Sequence, residues 1–566
     1  MKMKYILPVL LLLFCFGCKK KEKTPPPVVT KIDTNFGQAN NEHISVLTQH
    51  NDNTRAGLNN QETVLTTSNV TSSKFGKLFS LYVDDQVYAQ PLVVSNLPIG
   101  SATHNVLFVA TVNNTIYAFD ADRGSLYWKK NFTVAGMRTP TSNDMASSWC
   151  TPYTDFAFKI GIIGTPVIDS VAQTMYFVAR STDGTNYVQY LHAVNIVTGA
   201  EQAGSPVKIT ASMPGTGDGS LNGTVSFDPL RNNQRQGLVL VNGVVYISFA
   251  SHCDWNPYHG WILGYNSKTL QQQIVYNDTP SGENGGIWES GMGVAADAQG
   301  NLYVVSGNGT VGQGNLYTST GNGTDEANAN PDPTNLTNRG ESALKLTPSG
   351  NTLTVSSYFT PTNYVSLNNN DLDYGVMGAF LIPNSSYYVT GCKDGNVYLL
   401  NKDNMGGYSN SFNHIQQIVP LNSSMHCQPA YCKTSAGEYV YIWAENDQLR
   451  AIPYSNGALS ASQILGSDPG PIGDCGVDLS VSSNGSTAGT GIVWASYAQS
   501  GNAGNTVSLG VLRAYDASDV TKEIWNSNQI PGDAPGNYAK YCSPTIVNGH
   551  VYLATFSNQV VVYGLK

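Results

Sequence analysis

Short apolar runs separated by turn residues fill the chain from about residue 76 to its end. Runs such as VVYISFA (244–250), NLYVVSG (301–307) and HVYLATF (550–556) are rich in β-branched and aromatic residues, and they follow turns such as Asn242-Gly243. This pattern is typical of buried strands joined by tight hairpins. No segment keeps an apolar period of about 3.6 residues, so the pattern predicts an all-β protein.

One phrase recurs along these strands. An apolar strand, a turn and a second strand lead into Ala-x-Asp-x-x-x-Gly-x-x-x-Trp, clearest at Asp120 and Trp128 and repeated in GVLRAYDASDVTKEIW, which ends at Trp525. A phrase that recurs roughly every 40 to 50 residues indicates a repeat array or a propeller. We expect the aspartates to form turns and the tryptophans to dock between neighbouring sheets, with no part in chemistry.

Counting inner strands gives the number of blades. The predicted inner strands are YAQPLVV (88–94), GIIGTPVID (161–169), RQGLVLV (235–241), ESGMGVAAD (289–297), GVMGAFLIP (375–383), HCQPAYC (426–432), GVDLSVS (476–482) and YCSPTIV (541–547). The last blade ends without a fourth strand, and GKLFSLYV (76–83) precedes the first blade. We expect that early strand to complete the last blade and close the ring. The sequence therefore predicts a single eight-bladed β-propeller, with seven blades as the alternative count.

Composition agrees with this fold and excludes one class of partner. Charged residues make up 12% of the 566 residues, whereas Gly numbers 56 and Tyr 32, which is typical of many short strands and tight turns. The net charge is -9 and no basic stripe is present, so we expect no nucleic-acid partner.

Residues 1–18 resemble a bacterial lipoprotein signal peptide. Two lysines precede an apolar stretch, Tyr5 to Phe16, that is too short to span a bilayer and ends just before Cys18. We expect lipidation of Cys18 and export to the cell envelope, where the lipid would anchor the protein to a membrane; plain secretion is the alternative. Residues 19–43 are charged and then proline-rich, which predicts an extended tether, and the propeller would occupy residues 44–566.

Reactive side chains gather in the segment SHCDWNPYHGW, which joins two strands of one predicted blade. It contains His252, Cys253, Asp254 and His259, and imidazole, thiolate and carboxylate are ligands for zinc, copper or iron. The segment therefore predicts a metal site at the channel mouth. The alternative is a hydrogen-bonded loop whose histidines bind backbone groups.

The next blade begins with GGIWESG, which contains Trp288 and Glu289. This entry segment and the preceding loop face the same mouth, so we expect Glu289 to approach His252 and His259. A carboxyl group beside a tryptophan in a partly dry mouth has a raised pKa and can act as a base. These three residues are the predicted catalytic groups; the alternative is that Glu289 only binds a loop.

Further residues are expected at the mouth. Arg55, in HNDNTRAGLN, would reach over it, and Arg235 and His426 begin inner strands and would line the channel. Trp288, Arg55 and Arg235 are therefore the predicted cofactor contacts. Three cysteines stand at similar points of consecutive blades, and they would either form one disulfide at the mouth or be buried separately; they are Cys427, Cys475 and Cys542.

The chain from about residue 50 to 566 resembles the PQQ-repeat (pyrroloquinoline-quinone, or quinoprotein-type) β-propellers, in a bacterial lipoprotein branch of mostly unassigned function. Stretches such as FGKLFSLYVDDQVYAQPLVV, KDGNVYLLNKDNMG and NGHVYLATFSNQVVVYGL carry the resemblance. It implies PQQ and Ca²⁺ over the channel, an aspartate base and often a disulfide between adjacent cysteines above the quinone. This chain has no adjacent cysteine pair and no C-x-x-C-H haem motif.

Two classes of function follow, because a fold does not determine an activity. The first is a membrane-anchored binding or scaffold protein for a protein or glycan partner. The alternative is a PQQ- or metal-dependent oxidoreductase acting on alcohols or sugars at the mouth, or else a sugar-active hydrolase or lyase. Convergence of His252, His259 and Glu289 would favour an enzyme, and their dispersal would favour binding.

Overall fold

The computed structural model describes residues 44–145, 150–313 and 332–566. They form eight sheets of at least four strands each, arranged as an eight-bladed β-propeller, and the strands are antiparallel except where the short strand Leu58–Asn59 pairs in parallel with one inner strand. The predicted fold class and blade count are confirmed. Helix is scarce among these residues: one short α-helix, Tyr364–Asn369, and the 3₁₀ turns Ser142–Asp144, Glu289–Gly291 and Pro531–Asp533.

In the first four blades the strands follow one another from the channel outward. Blade 1 contains Leu92–Ile99, Ala102–Ala110, Thr115–Asp120 and Leu126–Asn131. Blade 2 contains Val167–Asp169, Thr174–Thr182, Tyr187–Asn195 and Val207–Lys208. Blade 3 contains Val239–Val241, Val244–Ser251, Trp261–Asn266 and Gln272–Asn277, with Asn232–Asn233 also paired to its second strand. Blade 4 contains Ala295–Ala296, Leu302–Val305, Ala343–Ser349 and Thr352–Phe359.

The next three blades have the same strand order. Blade 5 contains Ala379–Leu381, Tyr387–Gly391, Asn396–Asn401 and Gln417–Pro420. Blade 6 contains Ala430–Thr434, Gly437–Ile442 and Arg450–Ser455, with an outer strand in two pieces, Ala458–Leu459 and Ile464–Leu465. Blade 7 contains Asp478–Ser482, Ile492–Ala498, Gly510–Asp516 and Glu523–Asn526. Two small hairpins lie outside the blades: Ser212–Pro214 with Thr224–Ser226, and Val311–Gly312 with Asn338–Arg339.

Blade 8 closes the ring. Its inner strands are Thr545–Val547, His550–Ala554 and Gln559–Leu565, and its outer strand is Phe75–Tyr82 from the start of the described chain. Phe75 pairs with Leu565 and Tyr82 with Gln559, so the two strands are antiparallel along their whole length. The predicted closure is confirmed, and it covers the free edge that the last sheet would otherwise expose.

The tryptophans of the repeated phrase dock between blades, as expected. Trp128 of blade 1 donates its indole N–H to the backbone oxygen of Ile196, just after the third strand of blade 2, at 3.0 Å. Trp525 of blade 7 is fully buried against Phe75 of blade 8, with ring centres 5.0 Å apart. Asp120 accepts hydrogen bonds from the backbone N–H groups of two residues in the turn that follows it, so its role is also structural.

Residues 46–59 run around the inside of the central channel, and we call them the channel segment. They contact the innermost part of each blade in turn: Val46 with Val93, Leu47 with Ile168, Thr48 with Leu238, Asn53 with Ala296, Thr54 with Leu381, Ala56 with Tyr431, Gly57 with Val481 and Asn59 with Ile546. The inner strands present unpaired backbone groups to the axis, and the channel segment satisfies part of them.

Arg55 belongs to this segment, and the expectation that it reaches over the mouth is wrong. Its side chain is fully buried inside the channel. The guanidinium donates to the backbone oxygens of Val294, Gln49 and Leu238, at 3.2, 2.6 and 3.1 Å. Its hydrogen bonds to the channel wall explain its place: a buried cation is tolerated where carbonyl oxygens accept its donors.

Candidate functional site

A cavity of about 150 Å³ lies at the end of the channel where the inner strands begin, and we call it the mouth cavity. Seven blades each place a residue in its wall from the segment that leads into the inner strand: Tyr88, Arg235, Trp288, Asp373, His426, Asp474 and Tyr541. The repeated fold brings these positions together although they are far apart in sequence. The cavity is therefore built by the same local feature of successive blades.

Charged groups of both signs line the mouth cavity. The cations are Arg235, Lys393 and Lys540, and the carboxylates are Asp155, Asp254, Asp373 and Asp474. Lys393 forms ion pairs with Asp373 at 2.6 Å and with Asp371 at 3.1 Å. Burial alone would lower the pKa of Lys393, but these two carboxylates raise it above its usual value, so the lysine stays charged.

Asp254 is the carboxyl group of this wall with the most unusual titration. Burial, followed by the negative charges of Asp373 and Asp371, raises its pKa to about 7. Its carboxylate accepts a hydrogen bond from the Tyr258 hydroxyl at 2.6 Å. Cys253 and Asp254 both have left-handed backbone conformations, with φ of 51° and 45°. Consecutive residues of this kind are strained and persist where the surrounding structure holds them in place.

The pKa of Asp373 is shifted in the opposite direction. Burial would raise its pKa, but Lys393 and the backbone N–H of Asn308, which donates to it at 2.8 Å, lower it instead. The cavity thus contains one carboxyl group that ionises near neutral pH and another that is ionised throughout the physiological range.

Aromatic side chains form another part of the wall. The Arg235 guanidinium lies 4.7 Å from the ring centre of Tyr541 and 5.8 Å from that of Trp288. It also donates to the Trp288 backbone oxygen at 3.2 Å. Arg235 and Trp288 therefore line the mouth as expected, although their predicted contact with a cofactor stays a prediction.

His426 also lies where the sequence predicted. Its Nδ1 is hydrogen-bonded to the Glu445 carboxylate and lies 3.7 Å from an oxygen of Asp474. Among the described residues, His426, Glu445 and Asp474 are the three whose potential metal-binding atoms, one from each, all lie within 4.8 Å of one another. Their donor set is one imidazole and two carboxylates, and it differs entirely from the predicted metal ligands.

The predicted catalytic histidines do not converge at the mouth. His252 is fully buried, with its ring nitrogens bound to the Tyr153 hydroxyl at 2.8 Å and to Arg180 Nη1 at 2.6 Å. His259 binds the Thr279 hydroxyl and the Asp218 backbone oxygen, both at 2.9 Å. Neither histidine has a ring nitrogen left for a metal, and neither is among the described residues that line the mouth cavity. The alternative, in which the histidines bind backbone groups, holds only for the bond of His259 to Asp218, because His252 is held by side chains alone.

Glu289 is also buried away from the cavity wall. One of its carboxylate oxygens accepts the backbone N–H of Val305 at 3.3 Å, and the other has no hydrogen-bond partner among the described residues. Burial raises its pKa to about 8, as the sequence predicted. The Glu289 side chain nevertheless points into the protein, because its backbone enters a short 3₁₀ turn with φ of 48°.

The predicted thiolate ligand is wrong as well. Cys253 forms a disulfide with Cys150, 103 residues earlier in the chain. A disulfide sulfur is not a thiolate and does not bind a metal as one. The other described cysteines are free and buried; they are Cys392, Cys427, Cys432, Cys475 and Cys542. Of the two alternatives for Cys427, Cys475 and Cys542, the mouth disulfide is therefore wrong and separate burial is confirmed. Of the predicted metal ligands, only Asp254 brings an ionisable group to the mouth cavity.

Sequence reasoning missed several groups of the site. Asp155 and Lys540 stand in loops without any motif, and Asp373 precedes an inner strand without a distinguishing neighbour. Lys393 begins the stretch KDGNVYLLNKDNMG, but nothing in that stretch indicated a place at the mouth. The available signal was positional: residues that lead into inner strands share the mouth. The sequence analysis applied that signal to Arg235, His426 and the entry segment with Trp288, and it overlooked the equivalent positions Tyr88, Asp373, Asp474 and Tyr541.

Comparison with known proteins addresses the fold. No protein-family profile matches the chain, and no curated protein sequence matches it. Solved structures do match. A quinohemoprotein alcohol dehydrogenase from Pseudomonas putida HK5 is 14% identical with a TM-score of 0.57, over 92% of this chain and 80% of that one. The chain has the quinoprotein propeller fold.

Two more quinoprotein structures give the same result. The quinohemoprotein alcohol dehydrogenase from Comamonas testosteroni is 13% identical with a TM-score of 0.54, over 92% of this chain and 80% of that chain. A europium-containing methanol dehydrogenase is 10% identical with a TM-score of 0.57, over 92% and 98%. At these identities the likeness concerns the fold alone. Among the described residues, no helix is long and apolar enough to cross a membrane.

The cofactor of the quinoprotein enzymes does not fit the mouth cavity of this quinoprotein-like propeller. PQQ is a polycarboxylate, and the cavity wall has more carboxylates than cations, with Lys393 already paired to two of its acidic neighbours. Ca²⁺ takes about six to eight oxygen ligands, whereas the cluster of His426, Glu445 and Asp474 offers an imidazole and two carboxylates. We therefore assign no role to PQQ or Ca²⁺.

Proposed function

We propose that this quinoprotein-like propeller is a binding protein that holds a carbohydrate in the mouth cavity. The observation that carries the proposal is the nearly balanced charge of a wall that also contains aromatic rings. A neutral sugar suits such a wall, because its hydroxyl groups donate to carboxylates and accept from lysine or arginine. Its apolar face can pack on an aromatic ring such as Trp288.

The charge balance argues against strongly charged ligands. Three cations face four carboxylates, and Asp254 is only partly ionised at neutral pH because burial raises its pKa to about 7. An anionic or a cationic ligand would leave groups of its own sign buried without a partner, which is costly. We propose in addition that lipidated Cys18 and the tether of residues 19–43 hold the propeller at the envelope surface, where glycans are accessible.

Sugar binding tests the proposal. The purified full-length protein in detergent is titrated by calorimetry with glucose, galactose, mannose, xylose and N-acetylglucosamine, and with glucuronate and glucosamine as charged comparisons. We expect saturable binding of at least one neutral sugar and a loss of about tenfold or more in affinity in Trp288→Ala, which removes the stacking surface.

The control is Phe412→Ala, which removes an aromatic ring that is 60% exposed and does not line the cavity. It is expected to bind like the unaltered protein. Absence of binding to every neutral sugar at millimolar concentration, or equal affinities in Trp288→Ala and the unaltered protein, would contradict the proposal.

A second candidate function is an acid–base enzyme acting on the bound sugar. It is favoured by the opposite pKa shifts of Asp254 and Asp373 in one cavity, an arrangement that separates a proton donor from a permanent carboxylate. Asp254 would protonate a leaving oxygen, so turnover of the sugar that binds would fall as pH rises through about 7. Product formation that is unchanged in Asp254→Asn would exclude this role.

A further inference from the structure

A second and larger cavity adjoins the mouth cavity. Its volume is about 480 Å³, compared with about 150 Å³ for the mouth cavity. Four residues line both cavities and form their common boundary: Tyr88, Asp155, Phe156 and Lys540. Gly504 lines the mouth cavity while Asn505 and Thr506 line the second, so one short loop borders both. The two cavities are thus neighbouring parts of one surface.

The chemistry of the wall changes from one cavity to the other. Among the described residues, the charged groups of the second cavity are the shared Asp155 and Lys540. The rest of its polar lining is neutral and consists of hydroxyl and amide side chains: Ser142, Asn143, Thr151, Thr154, Asn505 and Thr506. Aromatic rings of Tyr153 and Phe556 also line it, together with four small apolar residues: Pro152, Ala157, Ala503 and Val507. Neutral donors and acceptors beside aromatic rings suit an uncharged polyhydroxylated ligand.

The loops that form the walls of the second cavity are fixed in place by a hydrogen bond and a disulfide. The Thr154 hydroxyl donates to the Asn505 side-chain oxygen at 3.0 Å and joins the two loops that face each other across it. The first of these loops is also fixed by the Cys150–Cys253 disulfide, whose Cys253 lines the mouth cavity. A ligand that binds walls already in place loses less free energy in ordering them.

We propose that the second cavity is a binding subsite for further sugar units, so that the ligand is a neutral oligosaccharide. Its terminal unit lies in the mouth cavity, and the units that follow cross the boundary at Asp155 and Lys540 into the second cavity. The size difference supports more than one unit there, since the volumes are about 480 Å³ and about 150 Å³. This inference rests on the proposed function.

The inference is tested by measuring how the affinity depends on the number of sugar units in the ligand. The full-length protein is titrated with the mono-, di-, tri- and tetrasaccharides of the malto-, cello-, xylo- and manno- series. In at least one series we expect the affinity to rise by about tenfold or more between the monosaccharide and the trisaccharide. Asn505→Ala, which removes the link to Thr154 and a polar group of the second cavity, should abolish that rise while the monosaccharide affinity stays the same.

Asn528→Ala is the matched control, because Asn528 does not line either cavity. It should retain the full dependence on chain length. Monosaccharide binding without any gain from longer chains would overturn this inference and leave the proposed function intact. A gain that persists in Asn505→Ala would place the extra units elsewhere and would also overturn it. Failure of every sugar of every length to bind would overturn both proposals.

Discussion

Asp254 shows how one side chain links the mouth cavity to stability. In the folded protein its pKa is raised to about 7 by burial and by Asp373 and Asp371, compared with 3.8 for a free aspartate. At a pH between these two pKa values, Asp254 therefore keeps its proton in the folded state and loses it in the unfolded chain. The contribution of Asp254 to stability falls as pH rises from about 4 to about 7 and is constant above that.

Replacing Asp254 removes this dependence. We expect the free energy of unfolding of Asp254→Asn, relative to the unaltered protein, to increase between pH 5 and pH 8 by up to about 3 kcal/mol. Urea denaturation at the two pH values measures the difference. Asp403→Asn is the control, because its carboxylate is 76% exposed and should produce the same change at both pH values. A difference for Asp254→Asn that does not vary with pH would contradict the assigned pKa.

Single residues were also the hardest part to predict from sequence. The raised pKa of Glu289 was predicted from its neighbours, but its full burial was not, because the direction of its side chain depends on a local 3₁₀ turn. His252 faces Arg180 of the preceding blade, and Cys253 pairs with a cysteine 103 residues away. Such partners come from tertiary packing between blades, and no local pattern identifies them.

At the scale of elements, the loops over the mouth depend on one covalent link. The Cys150–Cys253 disulfide connects the loop between blades 1 and 2 to the loop inside blade 3. Tyr153, Asp155 and Phe156 follow Cys150 closely, and they contribute to both cavities or to their boundary. The position of this wall therefore depends on the disulfide.

Removal of the disulfide should affect both stability and binding. For Cys150→Ser with Cys253→Ser we expect a loss of about 2 to 4 kcal/mol in the free energy of unfolding, because the unfolded chain loses a long-range constraint. The affinity of the double variant for oligosaccharides should also be lower than that of the unaltered protein. Reductant should lower the stability of the unaltered protein to that of the double variant and leave the variant itself unchanged. Equal stability of the oxidised and reduced unaltered protein would refute this role.

Strands were the elements that the sequence predicted best. Apolar runs, turn residues and the recurring tryptophan are local features, and all eight predicted inner strands contain or overlap the observed ones. The closing strand was predicted because the last blade lacked a partner strand. The mouth cavity was predicted only in part, because seven blades contribute to it and most of its charged groups belong to no motif.

On the scale of the whole molecule, attachment to a membrane remains a prediction for residues outside the described structure. We expect Cys18→Ala to lose incorporation of an alkyne-labelled palmitate and to move from the membrane fraction to the soluble fraction. Cys15→Ala, three residues earlier in the apolar stretch, should keep both the label and the membrane location. Labelling that persists in Cys18→Ala would disprove lipidation at this residue.

The paired ends of the propeller have a consequence for its biosynthesis. The channel segment and the strand Phe75–Tyr82 leave the ribosome long before some of their partners, which include Ile546 and Gln559–Leu565. A partly translated chain therefore has a free sheet edge and an unfilled channel, however many blades it already contains. The ring can close only after Gln559–Leu565 has been made, and the earlier strand Phe75–Tyr82 must stay available until then.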